Sequence, residues 1–175
     1  MISRRKQQGS FMLEALIGIV IFFLGVLTMI ALQASSIAIQ TDSQYRAEAS
    51  NLVDQILGQI NLNSRDNIGV VNAVTLAGFS HQPTGGVTTC RLLDTDALAA
   101  TDCCNFAGLA SANPLVTDWV AAVSSDAATR LPGSTAARQQ IVVDAGTANQ
   151  VIVTVCWQGP KDIRPRFHRV IGYVN

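Results

Sequence analysis

GSFMLEALIGIVIFFLGVLTMIALQ, which spans residues 9–33, is the stretch that decides how this chain is organised. Between Ala15 and Leu32 it carries no charged side chain. Those 18 residues, with Phe11–Leu13 added, form a helix that approaches the ~30 Å thickness of a bilayer core. The stretch therefore predicts a helix that spans a membrane.

Three basic residues, Arg4, Arg5 and Lys6, precede the apolar run. By the positive-inside rule they keep the N-terminus in the cytoplasm. A cleaved secretory signal is the alternative, but its apolar region is usually shorter and small residues mark its far end. Here a helix-compatible pattern continues beyond Leu32. We therefore expect a single-pass signal anchor, with the rest of the chain outside the cell membrane.

Glu14 is an acidic residue at the lip of this apolar helix, and Gly9 lies just before it. A carboxylate at a membrane boundary is costly, so it indicates a function unless the side chain simply extends to the lipid headgroups. The glycine offers a processing site. Together the two residues suggest a subunit that is stored in a membrane and later withdrawn from it.

The helical pattern becomes amphipathic beyond Gln33 and predicts one helix from Ser10 to Leu62, on the order of 80 Å long. No proline interrupts it, and Gly58 and residues 61–64 are stop signals. Apolar residues recur at helical spacing and form one stripe, comprising Ile37, Tyr45, Ala49, Leu52, Val53, Ile56 and Ile60.

The remaining residues predict an α+β domain whose sheet is covered by the long helix. Asn113-Pro114 is typical of a helix start, and Leu131-Pro132-Gly133 is expected to close that helix. Three β-branched runs, separated by turn residues, predict an antiparallel meander. Their ranges are 140–144, 150–158 and 166–174. Further short strands are expected at 70–74, where a helical turn is the alternative, and at 88–93, and loops at 78–86 and 94–112.

The four cysteines are Cys90, Cys103, Cys104 and Cys156. An even number in a small exported domain favours disulfides over free thiols. Cys103 and Cys104 are adjacent and poorly placed to bond each other, so we expect Cys90 to pair with one of them and Cys156 with the other. The spacing does not say which.

The sequence lacks the signatures of an enzyme or a metal protein. It has no GxSxG, P-loop or HExxH pattern, so we expect no catalytic residues and no cofactor. The cysteine and histidine spacings do not fit zinc. Asp94, Asp96 and Asp102 lack the glycine and glutamate of an EF-hand loop, so no metal site is expected. Lys and Arg balance Asp and Glu at 12 each, which gives no support for nucleic-acid binding.

The basic leader, the glycine, the acid and the apolar helix together resemble the prepilin leader of type IV pilins and pseudopilins. In that family an aspartyl membrane peptidase cuts after the glycine and methylates the new N-terminus. The resemblance implies cleavage between Gly9 and Ser10, N-methylation of Ser10, and an assembly role for Glu14 as the acidic residue at the fifth mature position. Ser10 departs from the Phe of many major pilins, although minor pilins vary more there.

This resemblance divides the chain into four parts: a leader at 1–9, a membrane or fibre-core half-helix at 10–32, an amphipathic half-helix at 33–62 and a globular periplasmic or extracellular domain at 63–175. The implied fold is the pilin-like one, with the long helix packed on the C-terminal sheet and disulfides stapling the domain. Removal of the leader would leave nine basic against twelve acidic residues, a mildly acidic mature chain.

A looser resemblance concerns the order of Trp119, Leu131-Pro132-Gly133 and the strand that ends in Trp157, which is similar to PilV-type minor pilins. It implies a minor pilin that helps to initiate type IV pilus assembly and forms part of the tip complex, supporting adhesion and twitching motility. The implied location is the inner membrane, with a cytoplasmic N-terminus, and then the pilus fibre at the cell surface.

The partners implied by this resemblance are other minor and major pilins, the prepilin peptidase, the inner-membrane assembly platform and a tip adhesin. One alternative is a minor pseudopilin of a type II secretion system, which shares the leader and the helix. The other is a signal-anchored periplasmic protein, which predicts an uncut N-terminus and a polar pocket.

Overall fold

The computed structural model describes residues 10–66, 68–86, 104–160 and 162–174, apart from the side chains at 10, 34, 35 and 38. A short 3-10 turn at Ala136–Arg138 accompanies the regular elements. In chain order these are α1 (Ser10–Asn63), α2 (Ala73–Ala77), β1 (Thr84–Gly85), β2 (Phe106–Ala107), α3 (Pro114–Ser124), β3 (Gln139–Asp144), β4 (Gln150–Trp157) and β5 (Arg166–Tyr173).

Helix α1 is continuous over 54 residues, which confirms the predicted helix and extends it by one residue, to Asn63. The contacts nevertheless divide the chain into two units, Met1–Ser43 and Gln44–Asn175. In the first unit the apolar side chains of α1 that the structure describes are exposed, and none of the stretch Phe11–Gln33 is buried. Ile37, which the sequence pattern assigned to the apolar stripe, is also exposed.

In the second unit the same helix supplies one wall of the main hydrophobic core. Full burial of an aliphatic side chain contributes about 1.5–3 kcal/mol relative to leaving it in water. Several such residues at a helical spacing of three or four therefore hold this part of α1 in the domain. The buried α1 residues are Ala49, Leu52, Val53, Ile56 and Ile60.

Strands β3, β4 and β5 form an antiparallel sheet in the order β3-β4-β5, which confirms the predicted meander. Alternation along β4 sends Val151, Val153 and Val155 into the core that α1 covers. Thr154 and Cys156 face the other side, where Cys156 lies in a second, smaller cluster. The chain is thus an α+β protein with a long N-terminal helix, a small antiparallel sheet and a disulfide.

Helix α3 begins as the sequence predicts, because the Asn113 side chain accepts a hydrogen bond from the Leu115 amide and Pro114 is the first helical residue. Trp119 anchors the helix to α1. Its indole Nε1 donates to the Leu52 carbonyl over 2.8 Å, and its side chain is 4% exposed. A buried indole needs such an acceptor, so this bond fixes where α3 meets α1.

The predicted end of α3 at residues 131–133 is wrong, because the helix stops at Ser124. The hydroxyls of Ser124 and Ser125 donate to the carbonyls of residues 120 and 121, and the Asp126 carboxylate accepts from the Ala128 amide. Short polar side chains that bond to the backbone in this way favour helix ends and turns. The Leu131 amide then donates to the Val123 carbonyl, which returns the chain to the core.

Two segments predicted as loops contain a minimal β-ribbon, in which Thr84 pairs with Ala107 and Gly85 with Phe106. At 70–74 the chain forms no strand; Val71 makes only an isolated bridge with Arg65, and the helical alternative is confirmed from Ala73, where α2 begins. The expected strand at 88–93 lies outside the described residues.

Candidate functional site

The predicted processing junction lies at the start of α1. Ser10 is the first helical residue, whereas Gly9 lies outside the described residues. From Phe11 to Gln33 the helix is long and apolar enough to cross a membrane, by length and composition. At roughly 1.5 Å per residue these 23 residues exceed the ~30 Å of a bilayer core.

Glu14 is the only charged residue between Phe11 and Gln33. Its side chain is exposed, and no described residue forms an ion pair or hydrogen bond with its carboxylate. A carboxylate on an apolar surface is stable only with a counter-charge or with water. The geometry of the described chain thus leaves the carboxylate open to a partner from outside.

Two glycines lie on the same side of the helix as Glu14. At about 100° per residue, Gly18 and Gly25 project within roughly 40° of the Glu14 direction. A Cβ atom built at either glycine meets no other atom within 4 Å. Neither glycine is crowded by another described atom, and the missing side chains at these two positions let a neighbouring helix backbone approach closely there.

The disulfide of the described domain joins Cys104 to Cys156, with 5.9 Å between the Cα atoms. It links the residue two before β2 to the end of β4, and Phe106 and Phe167 pack around it. A cross-link spanning 52 residues stabilises a domain by about 4 kcal/mol in the chain-entropy model. Of the two pairings left open, the structure thus assigns Cys104 to Cys156; Cys90 and Cys103 lie outside the described residues.

The Leu131-Pro132-Gly133 element contacts the strand end that follows Trp157. The Gln158 amide donates to the Pro132 carbonyl over 2.8 Å. Gly133 has φ +60°, and a Cβ there would lie 2.7 Å from the Gln158 carbonyl oxygen. Only glycine fits this close, left-handed turn. The two ends of the sequence element are therefore in contact, which gives its spacing a physical reason.

A shallow groove of about 400 Å³ lies beside this element. Tyr45 of α1, Ser124 of α3 and Arg130 line it together with residues 131–134. Its lining offers hydroxyls and one cation but no carboxylate, imidazole or thiol.

The sequence pattern does not identify His81 as important, but its buried ring contacts the backbone of two segments distant in sequence. It is 4% exposed, its Nδ1 accepts from the Ser111 amide over 3.1 Å, and its Nε2 lies 3.5 Å from the Ala136 carbonyl. These contacts fit a neutral ring with the proton on Nε2. Burial lowers the pKa of His81, partly offset by the Ala136 carbonyl. A lone histidine gives no sequence signal for such a role.

The basic residues near the C-terminus, namely Arg164, Arg166, His168 and Arg169, do not share one environment. Arg166 binds Asp162 with two hydrogen bonds of 2.8 and 2.9 Å, whereas Arg164 lies before β5 and is exposed. The Arg166 guanidinium, with the Gly159 amide, lowers the pKa of the Asp162 carboxyl. Arg166 and His168 share the helix-facing side of the sheet, because they oppose Trp157 and Val155.

No three histidine, cysteine, aspartate or glutamate side chains gather as a metal site within the described parts of the chain. Asp94, Asp96 and Asp102 lie outside those parts. Comparisons with protein-family models, with curated proteins and with solved structures found no match for this chain.

Proposed function

We propose that this chain is a minor pilin of a type IV pilus, held in the inner membrane before it is incorporated into the fibre. The observation that carries the proposal is the division of α1. Its first part exposes an apolar surface with a single carboxylate, and its second part is built into an α+β domain. An anchor alone does not require that one helix continue from the span into the domain core.

The proposed cycle begins with cleavage between Gly9 and Ser10 and methylation of the new amine. The cleaved helix leaves the bilayer and packs among the helices of other minor and major pilins. There Glu14 binds the N-terminal amine of a neighbouring subunit. This pairing offsets the desolvation of both charges and sets the axial register of the two subunits. The assembly platform and a tip adhesin are the other proposed partners.

The two glycines of α1 support this packing. Because Gly18 and Gly25 lie on the Glu14 side, a neighbouring helix can approach closely where the charge pair forms. The surrounding side chains are large and apolar, and they would be shielded from water first by lipid and then by other helices. Initiation of assembly and a place in the tip complex, with adhesion and twitching motility as consequences, complete the proposal.

The contact between residues 131–133 and the end of β4 favours the pilus over the type II secretion alternative, because it connects the two parts of the element that resembles PilV-type minor pilins. Incorporation decides between these machineries. The subunit should enter pili, and not secretion pseudopili, when both are assembled in the same cells.

Intact-mass measurement tests the proposal directly. Co-expression with a prepilin peptidase should remove residues 1–9 and add the mass of one methyl group. Gly9→Val should block both changes, whereas the matched control Gly18→Ala should be processed normally. An unprocessed wild-type chain in cells with an active peptidase would refute the pilin assignment and favour a signal-anchored protein.

A further inference from the structure

The two edge strands of the sheet, β3 and β5, differ in whether the described chain covers their outer edges. At β3, His81 and Ile141 exchange two backbone hydrogen bonds of 2.9 Å. The neighbouring Gln140 side chain donates to the carbonyls of Gln82 and Thr84, over 3.0 and 3.4 Å. This edge is therefore covered. Strand β5 pairs with β4 on one side, and no residue of the described chain pairs with its outer edge.

The register identifies which groups are free at that edge. The Val174 amide donates to the Asn149 carbonyl, so these two residues form a hydrogen-bonded pair that continues the β4–β5 register. Such pairs alternate along an antiparallel ladder. Residues 166, 168, 170 and 172 therefore bond to β4. The amides and carbonyls that point away from the sheet belong to Phe167, Arg169, Ile171 and Tyr173.

The side chains of these four residues lie on the side of the sheet away from α1. Arg169 opposes Thr154, whose neighbours Val153 and Val155 face the core. Ile171 and Tyr173 are 51% and 53% exposed. An eight-residue edge strand with exposed apolar side chains readily pairs with another chain, and proteins ordinarily cover or shorten such edges.

Arg169 indicates which charge a partner at this edge should carry. Its Nε atom is shielded from solvent, yet it has no hydrogen-bond acceptor among the described residues. The opposing Thr154 hydroxyl is buried and is likewise without a partner there. By contrast, Arg166, three residues earlier, forms an ion pair with the carboxylate of Asp162. A shielded guanidinium N–H without an acceptor is costly, and the half-buried Arg169 side chain carries a positive charge that a carboxylate brought in from outside would bind.

We propose that the outer edge of β5 binds an extended segment of a partner protein by strand addition. The segment carries an acidic residue opposite Arg169 and apolar residues two positions to either side, which pack beside Phe167 and Ile171. Backbone hydrogen bonds to the four outward residues supply affinity, and alternate side chains supply specificity. The site lies in the domain and does not depend on processing of the leader or on Glu14.

The test uses the full chain, isotopically labelled in detergent micelles, and two short acetylated and amidated peptides. One has the core valine–threonine–glutamate–threonine–valine, and the other replaces glutamate with lysine. The glutamate peptide should shift the amide signals of Phe167, Arg169, Ile171 and Tyr173 and slow their hydrogen exchange. It should bind at least about tenfold more tightly than the lysine peptide, since like charges across a strand pair are repulsive.

Charge variants distinguish specific recognition of the acidic peptide from non-specific pairing at the strand edge. Arg169→Glu should reverse the peptide preference, and Arg169→Gln should abolish it. The matched control is Arg164→Glu, which makes the same charge change at an exposed residue ahead of the strand and should leave the preference unchanged.

Three results would overturn the proposal. The first is slow exchange of the four outward amides in the free protein, which would show that the chain itself already covers the edge. The second is equal binding of the two peptides, or an unchanged preference in Arg169→Glu. The third is the absence of any amide shift at millimolar peptide, which would make Arg169 a charge that only protects the edge.

Discussion

The two parts of α1 belong to one continuous helix, yet their apolar side chains meet opposite environments. Between Phe11 and Gln33 no residue is buried, whereas Leu52, Val53, Ile56 and Ile60 are at most 3% exposed. The difference in burial follows from how apolar residues are distributed around the helix. The first part is apolar on every side, and the second concentrates its apolar residues on one side. One helix therefore combines a stretch that is long and apolar enough to cross a membrane with a stretch that is built into the core of a folded domain.

This comparison also separates two kinds of substitution. Changes in the first part should affect where the chain resides and what it assembles with, and should leave the folding of the domain unchanged. Changes in the second part should do the reverse. Both tryptophans, Trp119 and Trp157, lie in the domain, so their fluorescence reports on unfolding of that unit alone.

The largest effect on assembly is expected from Glu14→Ala. In the proposed fibre, loss of the carboxylate leaves the neighbouring amine unpaired, so incorporation into pili should fall by at least about tenfold, corresponding to a charge pair of roughly 1.4 kcal/mol or more. Cleavage and domain unfolding should be unchanged. Quantitative immunoblotting of sheared pili and intact mass measure the two effects. Glu48→Ala, in the second part of α1, is the control that should be incorporated normally.

A pair of matched truncations, one in each part of α1, tests whether only the second part contributes to the stability of the domain. Ile56→Ala removes a fully buried side chain and should reduce the free energy of unfolding by about 2–5 kcal/mol. Ile21→Ala makes the same change at a residue that is 64% exposed and should alter it by less than about 0.5 kcal/mol. Urea unfolding followed by tryptophan fluorescence measures both. Similar losses in the two variants would contradict the division of the helix.

Trp119→Phe sharpens the account of how the second part of α1 is held. Phenylalanine retains much of the buried ring but cannot donate to the Leu52 carbonyl. We expect a loss of about 1–2 kcal/mol in the free energy of unfolding, from one hydrogen bond and a small cavity. The measurement is urea unfolding followed by circular dichroism. No loss of stability would show that the indole bond does not contribute to docking of α3.

The smallest effect is a pH dependence confined to the domain. Because burial lowers the pKa of His81, the unfolded state takes up a proton at higher pH than the folded state does. The contribution of the neutral ring is thus complete above the ordinary value of 6.5 and declines as the pH falls below it. Urea unfolding between neutral and mildly acidic pH should show this decline in the wild type, and a weaker one in His81→Gln. Parallel profiles would contradict the assignment.

Prediction from sequence succeeded where one local pattern was sufficient. The period of α1, the Asn113-Pro114 start of α3 and the alternation in β4 each led to the observed element. It failed at the end of α3, where the backbone bonds of Ser124 and Ser125 outweigh a turn signal seven residues later. It also gave no indication of His81, because the donor and the acceptor that hold the ring come from residues 30 and 55 positions away, respectively.

The cysteines show the same limit. Adjacency of Cys103 and Cys104 argued against a bond between them, but the choice of Cys104 for Cys156 depends on which residue β2 brings to the end of β4. The outer edge of β5, with which no described residue pairs, is a further case. Its four outward residues follow from the strand order and register, which no single strand contains.

By itself, the amino-acid sequence determined that this chain has an apolar N-terminal helix with one carboxylate, and that a meander follows near the C-terminus. Those properties depend on residues close together in the chain, whose period and polarity can be read directly. Only the tertiary structure decided which α1 residues are buried, which cysteine binds Cys156, how residues 131–133 meet the end of β4, and which sheet edge has no partner among the described residues. Each of these depends on a contact between residues distant in sequence, and such a contact exists only once the chain has folded.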